Sequence, residues 1–168
     1  MTRLPRTLRL DPSDAVVFPL AAAPGEWAVP GGFCFWDDDD SIAGKRRQAF
    51  RAGFLGLGSF GWSTLVEVVG ASAEDRAAAL AALAGHLRAA YGAPPDGAAA
   101  AAAEEIAFAE SLCAEHPPGT VLALERRFEG GEIRERFRTL HRRETAPVFA
   151  IVETEDETPE HPDLAALR

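Results

Sequence analysis

Three glycines between residues 53 and 66 have the spacing of a nucleotide-binding loop. The segment is GFLGLGSFGWSTLV, in which Gly56, Gly58 and Gly61 form the pattern G-x-G-x-x-G. In a dinucleotide-binding fold this pattern follows a strand and opens a helix, whose N-terminal amides bind the phosphates. Here a helical pattern precedes the glycines and a β-branched stretch follows them. We therefore expect Gly56 to end a helix and the other two glycines to allow a close backbone approach.

Carboxylates and thiols are the other side chains that could form a reactive centre. Residues 37–40 are four consecutive aspartates, whose oxygens suit magnesium or calcium. A calcium loop alternates its ligands around a glycine, so this run favours a solvated helix cap. Cys34 and Cys113 could act as nucleophiles beside a histidine, yet each lies among apolar residues, which is typical of packing. We assign no catalytic residue, no metal ligand and no cofactor, although metal binding by the aspartates stays open.

An arginine-rich hairpin is the clearest candidate for a binding surface. Two alternating stretches flank residues 130–131, a Gly-Gly pair typical of a two-residue turn. In the register that this turn sets, one face is apolar apart from Arg126 opposite Glu135. The other face places Arg127 opposite Arg134, a like-charge pair that costs stability. The candidate partner-binding residues on that face are Arg127, Arg134, Arg136 and Arg138, which lie beside Glu125.

The charge of this hairpin calls for a partner. Residues 121–143 hold seven arginines and four glutamates, a net charge of about +3 in a chain of −9. One interpretation is internal, in which the acidic residues 153–160 or 37–40 lie across the arginines. The other is an external acidic surface or an anionic ligand, because the planar guanidinium suits carboxylates and phosphates.

Aromatic residues suggest a second surface. Eight of them lie between Trp27 and Trp62, a cluster typical of a core. Any exposed part of the cluster would form a docking patch for another protein, and Trp36 and Trp62 are its candidate anchors. An alternative function is a small-molecule-binding protein or enzyme. Its pocket, between the glycine loop and the sheet, would be bordered by Trp27, Trp36, Asp37 and Ser63.

The elements that position these residues follow from apolar periodicity and turn residues. Ser72, with Asp75 three residues later, predicts a capped helix start. The pattern predicts an α+β fold with about six mostly antiparallel strands and three helices packed on one side. We expect a single domain over residues 1–154 and an acidic, frayed tail over residues 155–168. Strands are expected at residues 3–10, 15–20, 27–36 with a break or corner at 30–32, 62–69, in the hairpin over 120–141 and at 148–153. Helices are expected at residues 41–54, 73–91 and 97–116.

The composition excludes several classes of function. The chain has 168 residues, a formal net charge of −9 and a pI near 4.9. An acidic protein of this kind is poorly suited to nucleic acid or to an anionic membrane surface, so we expect neither as a partner. Two cysteines are too few for a disulfide framework. The N-terminal segment MTRLPRTLRLD lacks the apolar core of a signal peptide, so we expect a cytoplasmic protein, with homo-oligomerisation left open.

Three segments carry a resemblance to a known family. WAVPGGFCFWD, GKRRQAFRAGFLG and SFGWSTLVEV are similar to segments of small bacterial proteins classed as a domain of unknown function. In that family Phe-x-Phe-Trp-Asp and Phe-Gly-Trp-Ser-Thr segments recur, and the similarity covers nearly the whole chain. Genes of such proteins lie near accessory proteins of molybdenum-dependent, formate-dehydrogenase-like enzymes. The resemblance implies an accessory or assembly role and transfers no catalytic residue. Our first expectation is a non-catalytic accessory protein that binds another protein.

Overall fold

Two antiparallel sheets and a set of helices build the protein, whose computed structural model describes residues 2–142 and 152–156. The described strands are β1 (Thr2–Leu8), β2 (Ala28–Val29), β3 (Phe54–Gly56), β4 (Trp62–Ser63), β5 (Leu65–Ala71), β6 (Val121–Glu129), β7 (Glu132–Arg142) and β8 (Val152–Asp156). The described helices are α1 (Ser13–Val17), α2 (Gly44–Ala52), α3 (Ala73–Tyr91) and α4 (Pro95–Ala114), with a 3₁₀ helix at Gly32–Phe35. One sheet has the strand order β1-β5-β6-β7-β8 and the other β2-β3-β4. The predicted α+β class is confirmed.

Burial of apolar side chains joins the helices to the sheets. Helix α4 packs against β1 and α3, and α2 packs against β6. Leu83 of α3 and Ile106 of α4 are fully buried in one core cluster. Val66, Val68 and Leu122 belong to a second cluster. β5 and β6 lie side by side in the sheet. The second cluster contains residues of both strands and so holds β6, the first strand of the arginine hairpin, against β5.

Local signals in the sequence placed α3 and the hairpin correctly. The Ser72 hydroxyl accepts the Asp75 amide, and the Asp75 carboxylate accepts the Ser72 amide, which is the predicted capping box. Gly130 and Gly131 adopt φ values of +60° and +80°, as a type I′ turn requires. The predicted register of the hairpin is confirmed, with Arg127 opposite Arg134.

The predicted strand over residues 15–20 is wrong, because the chain forms the short helix α1 there. The Asp11 carboxylate accepts the Ser13 amide at 2.8 Å, which starts the turn. Asp14 is buried and accepts hydrogen bonds from the amide and the hydroxyl of Thr64. That partner lies fifty residues further along the chain, so no local pattern reveals it.

The predicted break at residues 30–32 is confirmed, but the strand predicted after it is wrong. Only Ala28–Val29 forms a strand, and Gly31, at φ +80°, turns the chain into the 3₁₀ helix. That helix buries the consecutive side chains of Cys34 and Phe35. An extended strand would send neighbouring side chains to opposite faces, so tertiary packing overrides the β propensity of this segment.

The glycine segment enters a sheet instead of ending a helix. Helix α2 begins at Gly44 and ends at Ala52, within the predicted range of residues 41–54. The expectation that Gly56 caps this helix is wrong, because Gly56 pairs with Ala28 in the small sheet. The sequence did not predict β3, since a strand of three residues is too short to show periodicity.

Strand β8 lies beside β7 at the edge of the large sheet. It spans Val152–Asp156, whereas the prediction placed the last strand at residues 148–153. In its register Arg138 lies opposite Asp156. Part of the acidic run therefore pairs with the arginine hairpin through the backbone. Residues 148–151 of the predicted strand, and the tail beyond Asp156, lie outside the described residues.

Candidate functional site

The amides of the glycine loop bind a carboxylate of the same chain. One oxygen of Glu26, Oε1, accepts the backbone N–H of Gly58 at 2.8 Å and that of Ser59 at 2.7 Å. The other, Oε2, accepts the Ala23 amide at 2.6 Å, and the Ser59 hydroxyl lies 3.1 Å from Oε1. Burial alone would raise the pKa of Glu26, but these hydrogen bonds hold it below its ordinary value. Glu26 thus fills the nest of amides that a phosphate would need.

Two of the three glycines are required by close contacts within the protein. A Cβ atom on Gly56 would lie 2.6 Å from Glu26 Oε1, and one on Gly61 would lie 2.6 Å from the carbonyl carbon of Ala21. The predicted close backbone approach is confirmed at Gly61. The pattern therefore serves a tight turn around an internal carboxylate, and the glycine loop has few donors left for a ligand.

Arg126, on the inner face of the hairpin, joins three parts of the fold. Its side chain is fully buried, and Nε donates to Glu135 Oε2 at 2.7 Å, the ion pair that the hairpin register predicts. Its two Nη atoms donate to four main-chain carbonyl oxygens: Ala49 at 3.3 Å, Phe50 at 2.8 Å, Gly53 at 3.0 Å and Pro30. Three of these carbonyls belong to the C-terminal end of α2, where a cation is favourable. All five N–H groups are engaged, so Arg126 positions the neighbouring residues and offers no donor to a ligand.

The four predicted arginines lie on the same face of the hairpin but differ in exposure. Arg134 is more exposed than Arg127 and Arg136, and its guanidinium lies 3.3 Å from Glu132. Arg127 lies opposite Arg134 and binds Glu129 at 2.9 Å. Arg136 donates to Glu125 at 2.8 Å, as the register predicts. The predicted surface therefore exists, and its acidic residues compensate only part of its positive charge.

Two arginines of this face keep N–H groups without partners. The Arg136 side chain is only 5% exposed, and its Nε and Nη1 atoms have no hydrogen-bond partner among the described residues. The buried Nε of Arg138 also has no hydrogen-bond partner among the described residues. Arg136 therefore lies beneath the surface rather than on it, held by Glu125. A buried donor without a partner costs about 1–3 kcal/mol, and more when it is charged.

The thiols are poorly placed for nucleophilic catalysis. Burial raises the pKa of Cys34 above its ordinary value, although a hydrogen bond with Tyr91 opposes the shift. Burial raises the pKa of Cys113 to about 12. The thiolate is the reactive form, and at neutral pH both groups are overwhelmingly protonated.

The aspartate run contributes to local structure. Asp38 binds Arg46 through two hydrogen bonds, at 3.2 and 2.5 Å, and Arg46 also donates to the Cys34 carbonyl at 3.1 Å. Asp39 accepts the amide of Ser41 at 2.9 Å. Within residues 2–142 and 152–156 no group of three or more acidic, histidine or cysteine side chains could hold a metal ion.

Glu105 of α4 is the carboxyl group whose protonation should change stability near neutral pH. Burial, reinforced by the charge of Glu135 and opposed by Arg126, raises its pKa to about 6 from 4.5. A raised pKa means that the folded state binds the proton more tightly, so stability falls as the pH rises from 4.5 through 6. We expect Glu105→Gln to raise the free energy of unfolding by about 1 kcal/mol at about pH 7.5, after allowance for partial exposure, and to change it little near pH 4.5. Urea unfolding at both pH values measures this, and a loss of stability at the higher pH would contradict it.

The candidate tryptophans and pocket residues lie in different environments. Trp36 is 73% exposed, whereas Trp62 is 8% exposed and packs in the core against Phe35. Trp62 is therefore unsuited as a surface anchor, because neighbouring side chains already cover it. Ser63 is enclosed and donates to the Leu65 carbonyl at 2.7 Å, so it lines no open pocket.

The remaining members of the alternative pocket differ in exposure. Trp27 is half-buried, with the Arg6 guanidinium 5.4 Å from its ring centroid. Asp37 is exposed just after the 3₁₀ helix. With Ser63 enclosed and Trp36 on the surface, the structure does not unite the four residues around one cavity.

A concavity that the sequence reasoning missed lies between α2 and the hairpin. Its volume is about 180 Å³. Its floor includes the rings of Phe50 and Phe128, stacked with centroids 4.3 Å apart. The segment KRRQAFR did contain a signal, because Arg47 and Arg51 are four residues apart and lie on one face of a helix. The cavity beside them, however, forms only where α2 packs on β6. The lining residues are Asp40, Ile42, Arg47, Phe50, Arg51, Arg126, Arg127 and Phe128.

Comparison with known proteins gives a family. Across the described part of the chain, no helix combines the length and the apolar character needed to cross a membrane. Neither a curated protein nor a solved structure matches the chain. A family model matches residues 1–157, which is most of the sequence. The chain belongs to DUF6505, a family of unknown function.

Proposed function

We propose that this protein is a non-catalytic, cytoplasmic accessory protein that binds an acidic surface of another protein through the outer face of its hairpin. The observation that carries the proposal is the exposed part of the arginine row, in which Arg134 exposes 57% of its side chain and Arg127 40%. Arg138 is half-buried in the same row, and Arg136 lies beneath it. Exposed positive charge of this kind suits an acidic partner surface.

Charge supports an external partner. The chain carries a net charge of −9, so a surface with excess positive charge is a local exception. Arg127 and Arg134 lie directly opposite each other, and like charges in that position destabilise a strand pair. A carboxylate from a partner would relieve this repulsion, and complementary charge would also speed and orient association.

An apolar anchor is available as well. Trp36 exposes 73% of its surface at the end of the 3₁₀ helix. Exposed tryptophans are frequent among the residues that dominate binding energy at protein interfaces. The protonated state of both thiols supports a role without covalent catalysis.

The resemblance of the three sequence segments leads us to propose the kind of partner. That resemblance implies genes that lie near accessory proteins of molybdenum-dependent, formate-dehydrogenase-like enzymes. We therefore propose that the partner is a component of a molybdenum-dependent redox enzyme, and that the hairpin holds it during assembly.

The proposal predicts that charge reversal on the hairpin abolishes capture of the partner. The test variant is Arg134→Glu with Arg138→Glu, which leaves the buried Arg136–Glu125 pair in place. The control is Lys45→Glu with Arg88→Glu, an equal change of net charge at exposed helix positions. Tagged proteins are used to capture partners from the native host, followed by quantitative mass spectrometry. We expect the hairpin variant to capture at least about tenfold less of a defined partner than the unmodified protein does. The control should capture as much as the unmodified protein.

Two further results belong to the same experiment. Capture through charged groups should weaken as salt rises from about 0.05 to 0.3 M. If both variants capture the partner equally, or if the unmodified protein captures none, the proposal is wrong and the arginines serve internal pairing alone.

A further inference from the structure

The concavity between α2 and the hairpin has the properties of a site for a small anion. It lies on the inner side of the hairpin, at the Phe50–Phe128 stack, and shares only Arg127 with the arginines of the outer face. Its volume of about 180 Å³ is below the range of about 300–1,000 Å³ that drug-sized ligands occupy. A ligand of this site must therefore be small.

Two arginines of α2 supply unused hydrogen-bond donors at this concavity. Arg47 and Arg51 are four residues apart, which places them on the same face of the helix. Both are exposed, and neither side chain forms a hydrogen bond or ion pair with another described residue. Arg46, the neighbour of Arg47, differs because Asp38 binds it. Two like charges at this spacing destabilise a helix, and an anion bound between them would remove that repulsion.

The charges around the concavity leave a positive excess. Arg126 and Arg127 also line it, but Glu135 and Glu129 compensate their charges. Among the described lining residues, two further arginines, Arg47 and Arg51, stand against one carboxylate, Asp40. An anion entering this space meets a local excess of positive charge in an otherwise acidic protein.

We infer that this concavity binds a small tetrahedral oxyanion, inorganic phosphate or the phosphate group of a small phosphomonoester, between Arg47 and Arg51. The planar guanidinium donates two parallel N–H groups to adjacent oxygens of such an anion. The helix positions the two forks on one face, and the stacked aromatic rings form a rigid floor. This ligand site goes beyond the proposed docking function and does not depend on it.

The test is a phosphate titration of the full-length protein in a low-chloride buffer, followed by two-dimensional ¹H–¹⁵N NMR of the arginine Nε–H resonances. We expect saturable shifts of the Arg47 and Arg51 signals. In Arg47→Gln with Arg51→Gln the affinity for phosphate should fall at least about tenfold. The conservative pair Arg47→Lys with Arg51→Lys keeps the charge but not the fork, and should bind with intermediate affinity. Glycerol 3-phosphate in a parallel titration distinguishes a phosphomonoester, if it binds more tightly, from free phosphate.

The matched control is Arg134→Gln with Arg138→Gln, which removes the same charge from the outer face and should leave phosphate binding unchanged. Circular dichroism verifies that each variant is folded. If Arg47→Gln with Arg51→Gln does not fold, the phosphate affinity of Arg47→Lys with Arg51→Lys is compared with that of the unmodified protein instead. Shifts that do not saturate, an affinity unchanged in the glutamine and lysine pairs, or tighter binding of an acidic peptide than of phosphate would overturn the inference. Capture of a protein partner by the Arg47→Gln, Arg51→Gln variant would leave the proposed docking function intact.

Discussion

Substitution of Arg126 by methionine should lower the free energy of unfolding by roughly 3–5 kcal/mol, the largest effect expected for a single change in this protein. The substitution leaves the Glu135 carboxylate without its cation and removes the donor for four carbonyl oxygens at the end of α2 and at Pro30. Because methionine fills a similar volume, the loss of stability should come mainly from the missing hydrogen-bond donors and not from a cavity. Arg126→Lys should also be destabilising, because one ammonium cannot reproduce a five-donor fork.

Urea unfolding of the purified variants measures this effect, with Arg134→Met as the matched control. Arg134 is exposed on the adjacent strand, with 57% of its side chain accessible, so its replacement should change stability by no more than about 0.5 kcal/mol. The double variant Arg126→Met, Glu135→Gln should recover part of the loss, because it no longer leaves a charged carboxylate buried. Equal stabilities for Arg126→Met and Arg134→Met would show that the buried network contributes nothing.

Substitution of Glu26 by alanine should have the second largest effect, a loss of about 3 kcal/mol in the free energy of unfolding. The change leaves the amides of Ala23, Gly58 and Ser59 without their acceptor. Hydrogen bonds to a charged acceptor are worth about 1.5–3 kcal/mol each, and water replaces some of them at this half-exposed position. Glu26→Gln keeps one acceptor oxygen, so its free energy of unfolding should fall by about half as much as that of Glu26→Ala.

The pH dependence separates this effect from a simple loss of packing. The pKa of Glu26 is lowered in the folded state, so its contribution to stability is fully present above the unfolded value of 4.5 and disappears as the pH falls through the lower folded value. The difference between the wild-type protein and Glu26→Gln should therefore shrink below about pH 4. Thermal unfolding over that pH range measures it, with the exposed Glu74→Gln as a control. A difference that stays constant with pH would mean that Glu26 does not act as a charged acceptor.

For Arg126, the sequence predicts the local contact but not the long-range ones. Arg126 opposite Glu135 follows from the Gly-Gly turn, because a two-residue turn sets the register of both strands. The four carbonyls that complete its network come from residues 73 to 96 positions away in the chain. A local pattern can therefore predict the ion pair but not the structural role of the arginine.

The glycine motif shows the opposite case. Its order relative to helix and strand argued against a dinucleotide site, but neither the strand at Gly56 nor the group that fills the loop was predictable. Glu26 lies more than thirty residues before the Gly58 and Ser59 amides that it binds. Helix α1 was missed for a similar reason, since its buried Asp14 is held by the distant Thr64.

By itself the sequence determined the α+β class, the capped start of α3, the turn and register of the hairpin, and the row of arginines on its outer face. Each of these depends on residues a few positions apart, where propensity, capping and turn geometry act. Only the tertiary structure decided that Trp62 is core while Trp36 is exposed, that Arg136 lies beneath the surface, and that Arg47 and Arg51 border a concavity. Those outcomes depend on which distant surfaces pack together, because burial and the pairing of charged groups are settled by contacts that no local pattern encodes.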